Sequence, residues 1–192
     1  SDDRNIVVKG LAEREKWYSI LLAAASTKRI RVTPSAHTTV KKWKGGYTQM
    51  NGNAEMLNYV YQNTQMGIES LKQLLEIVEN EGFRKCLEKQ LGGYQDINTK
   101  AKKMLNENGY DEKGIPGMEK FTSYLMINMK TLIDKSSSHI ADMLIKGSNM
   151  GIVEATKQLH QYEGEAEKDI ISLMKELQKM EEHNLEELKK YL

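Results

Sequence analysis

Two stretches decide the fold: NTQMGIESLKQL at residues 63–74 and GSNMGIVEATKQL at residues 147–159. Each writes Met-Gly-Ile and, shortly after, Lys-Gln-Leu, and the two Met-Gly-Ile triplets stand 84 residues apart. Both lie in the middle of apolar patterns with the spacing of one helix face. Leu57, Tyr61, Ile68, Leu71, Leu75 and Val78 form the first such stripe, and Ile140, Leu144, Gly151, Ala155 and Leu159 the second. Setting Met66 on Met150 brings Gly67 onto Gly151, Thr64 onto Ser148, Leu57 onto Ala141, Val60 onto Leu144 and Cys86 onto Ile170.

Each copy continues past a break into another helix. After Glu81-Gly82 the segment FRKCLEKQLGGYQDINTKAKKMLNENG has its apolar face at Phe83, Leu87, Leu91, Tyr94, Ala101 and Leu105. After Gly164 the segment EAEKDIISLMKELQKMEEHNLEELKKYL has Ile170, Leu173, Leu177, Met180, Leu185 and Leu188. Gly92-Gly93 inside a helix predicts a kink or a close helix contact. Asn108-Gly109 predicts a left-handed cap. A loop, YDEKGIPG, and a shorter helix, MEKFTSYLMINMKTLIDKS, join the halves, and the serines of SSSH can cap the next helix. The prediction is a mainly α, ferritin-like four-helix bundle over residues 47–192, made of two repeated helical hairpins. Gly67 and Gly151 then face each other or neighbouring helices near mid-bundle, and Thr64 and Ser148 can bond back to the preceding turn.

Residues 1–46 differ in texture. They hold ten Lys or Arg against four Asp or Glu, while the rest of the chain holds 18 against 23. Gly45-Gly46 marks the seam, and helix is expected from Asn53 onward. NIVV reads as a short strand, and KRIRV and TTVKKWK as a hairpin about Pro34. Residues 17–25 suit a helix or a strand. The segment is a natural extension or a fused piece, of small mixed α/β character.

The composition is that of a helical protein, 29% charged with a net charge of +1. No apolar run reaches the ~20 residues of a membrane span. The first residues lack a secretory pattern, and the lone Cys86 suits a reducing compartment, so a cytoplasmic protein is expected. Cys86 reads as a small core residue. Met118, Met126, Met129, Met143, Met150, Met174 and Met180 fall at helical spacing, as core filling or as an adaptable partner groove.

A buried di-iron site needs paired Glu-x-x-His helices. Three residues before His37, His139, His160 and His183 stand Pro34, Ser136, Lys157 and Met180, so that pair occurs nowhere. His160 with Glu163 or Glu167 reads as a solvated helix end. Glu181, Glu182 and His183 read as a solvated face, His139 as a cap or surface residue, and Glu69 and Glu154 as rim acids. No P-loop, dinucleotide fingerprint or nucleophile elbow is present. The expectation is no catalytic, cofactor or metal residue.

FRKCLEKQLGGYQDI, SSHIADMLIKGSNMGI and EEHNLEELKKYL give residues 53–192 a resemblance to ferritin-like helical proteins of Gram-positive bacteria, with the general look of spore-coat proteins of the coat F type. That resemblance implies a bundle and a cytoplasmic or spore-associated setting, with no activity to carry over. EKWYSILLAAAS, about a dozen residues, resembles the first strand of lipocalin barrels, without the rest of such a barrel. Three functions compete. The first is a non-catalytic structural or protein-interaction bundle, self-associating or bound to a protein partner. The second is a module binding nucleic acid or another anion through residues 29–44, using Arg29, Arg31, Lys41, Lys42 and Lys44 around Trp43; charged hairpin edges explain the same residues. The third is a divergent metal-dependent oxidase.

Overall fold

The computed structural model describes residues 47–112, 114 and 118–192. The strand, hairpin and basic-patch expectations for residues 1–46, with His37, lie outside them. Five helices follow in order: α1 (Tyr47–Leu75), α2 (Glu81–Glu107), α3 (Met118–Lys130), α4 (Ser137–Gln161) and α5 (Lys168–Lys189). No strand occurs among the described residues. Helix α1 packs along α2 and α4 along α5, and α5 also lies against both α1 and α2, while α3 rests on α1. The result is a helical bundle of two hairpins joined through a short helix.

Local chemistry fixes most of the boundaries. Asn80 caps α2 by accepting from the Phe83 N–H at 2.8 Å, and Ser136 caps α4 by accepting from the His139 N–H at 3.2 Å. Helix α2 ends at Glu107 and is terminated by Gly109, whose φ of 67° supplies the left-handed residue. The Tyr110 N–H reaches the Leu105 carbonyl at 2.9 Å and the Gly109 N–H reaches that of Asn106 at 3.1 Å, the paired bonds of a Schellman end.

Three boundaries differ from the sequence reading. Helix α1 begins at Tyr47, not Asn53, and runs straight through Gly52. A Cβ on Gly52 would sit 2.8 Å from the Tyr162 ring, so the glycine seats an aromatic there. Asn53 bonds Glu167 twice, donating from Nδ2 at 3.1 Å and accepting from the Glu167 N–H at 2.9 Å. Glu167 has no side-chain cap of its own, so Asn53 on α1 satisfies the start of α5. Tertiary contacts have overridden two helix breakers. At its other end α1 stops at Leu75 although the apolar stripe continues to Val78. The Arg84 guanidinium closes this end by donating to the carbonyls of Leu75 and Val78, where a cation meets the negative end of the helix. Helix α3 stops at Lys130, six residues short, and the following turn is held by the Ser136 N–H bonding Asp134 Oδ1 at 2.9 Å.

The core is in two pieces. One apolar cluster gathers Leu71, Leu74, Phe83, Leu87, Leu125, Ile140 and Leu188. The other gathers Met56, Leu57, Val60, Ala101, Leu105, Ile170, Met174 and Leu177. Met180, half-buried, packs against both. Cys86 is half-buried rather than part of either core. Gly93 makes the close helix contact expected of the glycine pair, since a Cβ there would lie 2.9 Å from Met180 Sδ; Gly92 has nothing within 4 Å.

Candidate functional site, a buried polar belt

Among the apolar side chains of the bundle lie polar ones that are also buried. Thr64, Ser70, Gln90, Ser148, Glu181 and Asn184 are all buried, with Glu181 only 3% exposed. Burying such groups costs free energy unless each is hydrogen-bonded. Most of them are. The Thr64 hydroxyl bonds back to the carbonyl of Val60 at 2.8 Å and accepts from Asn98 Nδ2 at 2.8 Å. Gln90 Nε2 donates across from α2 to the Asn184 carbonyl at 3.3 Å. The Tyr59 hydroxyl donates from α1 to the carbonyl of Gly151 on α4 at 2.9 Å and accepts from Asn63 Nδ2 at 3.4 Å.

Glu181 on α5 is the centre of the belt. Ser148 on α4 and Tyr94 on α2 are its side-chain hydrogen-bond partners, and burial pushes its carboxyl up to about 7 against their opposing pull. No Lys, Arg or His is among the groups that set its proton affinity. Glu181 acts in turn on both tyrosines of the belt. Burial and the nearby carboxyls of Glu181 and Glu154 raise the Tyr59 phenol, and burial and Glu181 raise that of Tyr94, so both remain neutral hydrogen-bonding groups. Among the described residues Glu181 Oε2 and Asn63 Oδ1 have no partner.

Gly151 is what lets this cluster close. A Cβ on Gly151 would lie 3.0 Å from Asn63 Nδ2 and 3.5 Å from Glu181 Oε1. The Asn63 amide and the Glu181 carboxyl therefore both approach bare backbone there. Gly67 instead faces the Tyr94 ring, at 2.8 Å from a Cβ placed there. The two glycines face neighbouring helices, one apolar and one polar.

Reading Glu181 as part of a solvated face is therefore wrong. Glu182 and His183 do face solvent, but Glu181 lies one helical turn after Leu177 and one before Leu185, on the buried stripe. That register was the available signal, hidden inside a run of charges. Glu69 and Glu154 sit at the rim, each beside a lysine three residues on, Lys72 and Lys157, at 3.7 Å. His160 and Glu163 are exposed, and Glu167 is held by Asn53. His139 is half-buried at the start of α4. Burial, with Glu187 nearby, pushes the Cys86 thiol up, away from the thiolate that nucleophilic chemistry uses.

Among the described residues no group of three or more His, Cys, Asp or Glu is placed to hold a metal ion. No helix there is long and apolar enough to cross a membrane. The belt is one carboxyl among neutral donors and acceptors, an arrangement suited to holding a proton and joining helices. No known family, curated protein or solved structure matches this chain.

Proposed function

We propose that the chain is a non-catalytic helical bundle, ferritin-like in plan, that works by associating with a second copy of itself through the outer side of α3. One observation carries this reading: α3 and its exit are apolar on two sides. Leu125, Met129 and Leu132 are buried, with Leu125 fully so, and all three belong to one apolar cluster of the bundle. Met126, Ile127 and Ile133 are 39%, 60% and 58% exposed. A surface helix that has finished its packing shows one apolar stripe, not two. A second copy is the favoured occupant because a net charge of +1 sets up little long-range repulsion between copies. The half-buried lone thiol suits a cytoplasmic setting.

Sedimentation velocity on the full chain across a hundredfold concentration range tests this reading. Dimer is expected, with Ile127→Glu and Ile133→Glu shifting the population to monomer while helicity stays unchanged. A chain that is monomeric at every concentration would overturn self-association and assign the face to a different protein.

A further inference from the structure

We propose that the proton on Glu181 is a latch between the two hairpins: protonated, the side chain ties α5 to α2 and α4; deprotonated, it forces the belt apart. The geometry carries this. From one position on α5 the carboxyl meets Tyr94 of α2 and Ser148 of α4, and its Oε1 lies 3.5 Å from where a Cβ on Gly151 of α4 would stand. Glu181 Oε2 has no donor directed at it. Neither has Asn63 Oδ1. A buried carboxyl whose second oxygen finds no donor is less costly when it carries a hydrogen than when it carries a charge.

The charges around the carboxyl point the same way. From α1 it faces the Tyr59 phenol and from α2 that of Tyr94, both held neutral by burial. On α4 Glu154, an acid, acts on the same Tyr59 phenol as Glu181 does. On α5 itself the neighbouring belt residue is Asn184, which is neutral. The Ser148 and Tyr94 hydroxyls stabilise a carboxylate only in part, burial outweighs them, and removing the proton leaves a charge with no cation beside it inside the bundle.

The direction of the pH effect follows. The carboxyl titrates near 7 in the folded chain and near 4.5 in an unpaired one. Between those values the folded state holds a proton that the unfolded state has lost, so stability falls as pH rises and levels off above about 7. Over that window the unfolding constant should rise roughly 300-fold from this group alone.

Urea unfolding of the full chain from pH 4.5 to pH 8, beside Glu181→Gln, tests the latch. The wild type should lose stability across the window, and the Gln variant, neutral at every pH, should lose roughly 300-fold less. A parallel loss in both chains would overturn the proposal. A second measurement holds even where the variant fails to fold: the side-chain carboxyl carbon of Glu181, followed by NMR in the wild type, should titrate close to neutrality. A midpoint near 4.5 would overturn the latch.

Discussion

Gly67 and Gly151 occupy matching places in the two halves of the sequence, and the structure uses them for opposite chemistry. Against Gly67 lies the face of an aromatic ring, that of Tyr94. Against Gly151 lie an amide and a carboxyl. The residues one turn earlier diverge in the same way. Thr64 satisfies itself on its own helix, through the Val60 carbonyl, whereas Ser148 turns toward Glu181 on α5. A repeated motif therefore preserves the spacing that lets two backbones approach. What fills the space is set by the helix opposite.

The comparison is most exposed to failure at Gly67. A methyl group there meets Cγ, Cδ1 and Cε1 of Tyr94 at 3.0 Å or less. These atoms are near the base of a ring buried on all sides, and its hydroxyl is bonded within the belt, so the ring cannot swing away cheaply. Gly67→Ala should destabilise the chain by about 1–3 kcal/mol through overpacking, measured as a lowered denaturant midpoint with an unchanged slope. An unchanged midpoint would mean that Tyr94 has room to move, and the contrast with Gly151 would collapse.

Gly92 gives a smaller effect of opposite sign. It lies inside α2 with nothing within 4 Å of a built Cβ. Gly92→Ala should therefore stabilise by ~0.5–1 kcal/mol, because alanine loses less backbone freedom on entering a helix. A thermal midpoint below that of the parent would show that bare backbone is needed at Gly92 as well as at Gly93.

These glycines also show what the sequence made legible. Helix count, pairing into hairpins, the Ser136 cap and the Gly109 turn were readable, because each depends on residues within a few positions of one another. The start of α1 at Tyr47 was not, since Gly52 and Asn53 are helical on account of Tyr162 and Glu167, more than a hundred residues away. Glu181 was the larger omission. Its register matched the stripe through Leu177 and Leu188, but the adjoining Glu182 and His183 made the whole run look solvated. A single acid on an apolar stripe becomes meaningful only once Tyr94, Ser148 and Tyr59 are known to lie near it, and these come from three other helices.

Gly151→Ala should produce the smallest change, and that is why it completes the test. Two contributions oppose each other. Replacing a mid-helix glycine favours the helix by up to about 1 kcal/mol. The new methyl would stand 3.0 Å from Asn63 Nδ2, the far end of a flexible side chain, and moving it weakens a bond to the Tyr59 hydroxyl that is already long at 3.4 Å. A neutral hydrogen bond of that kind is worth roughly 0.5–1.5 kcal/mol net. The sum should lie within about 0.5 kcal/mol of zero, well short of the Gly67→Ala loss. Glu181 Oε1, at 3.5 Å, is at ordinary contact distance, so the titration of Glu181 should keep its midpoint near 7 in this variant. Paired denaturant curves for the two alanine variants measure the difference directly. Equal losses at Gly67 and Gly151 would mean that the belt is as rigidly packed as the aromatic contact, and the two halves of the bundle would then be alike in mechanics as well as in sequence.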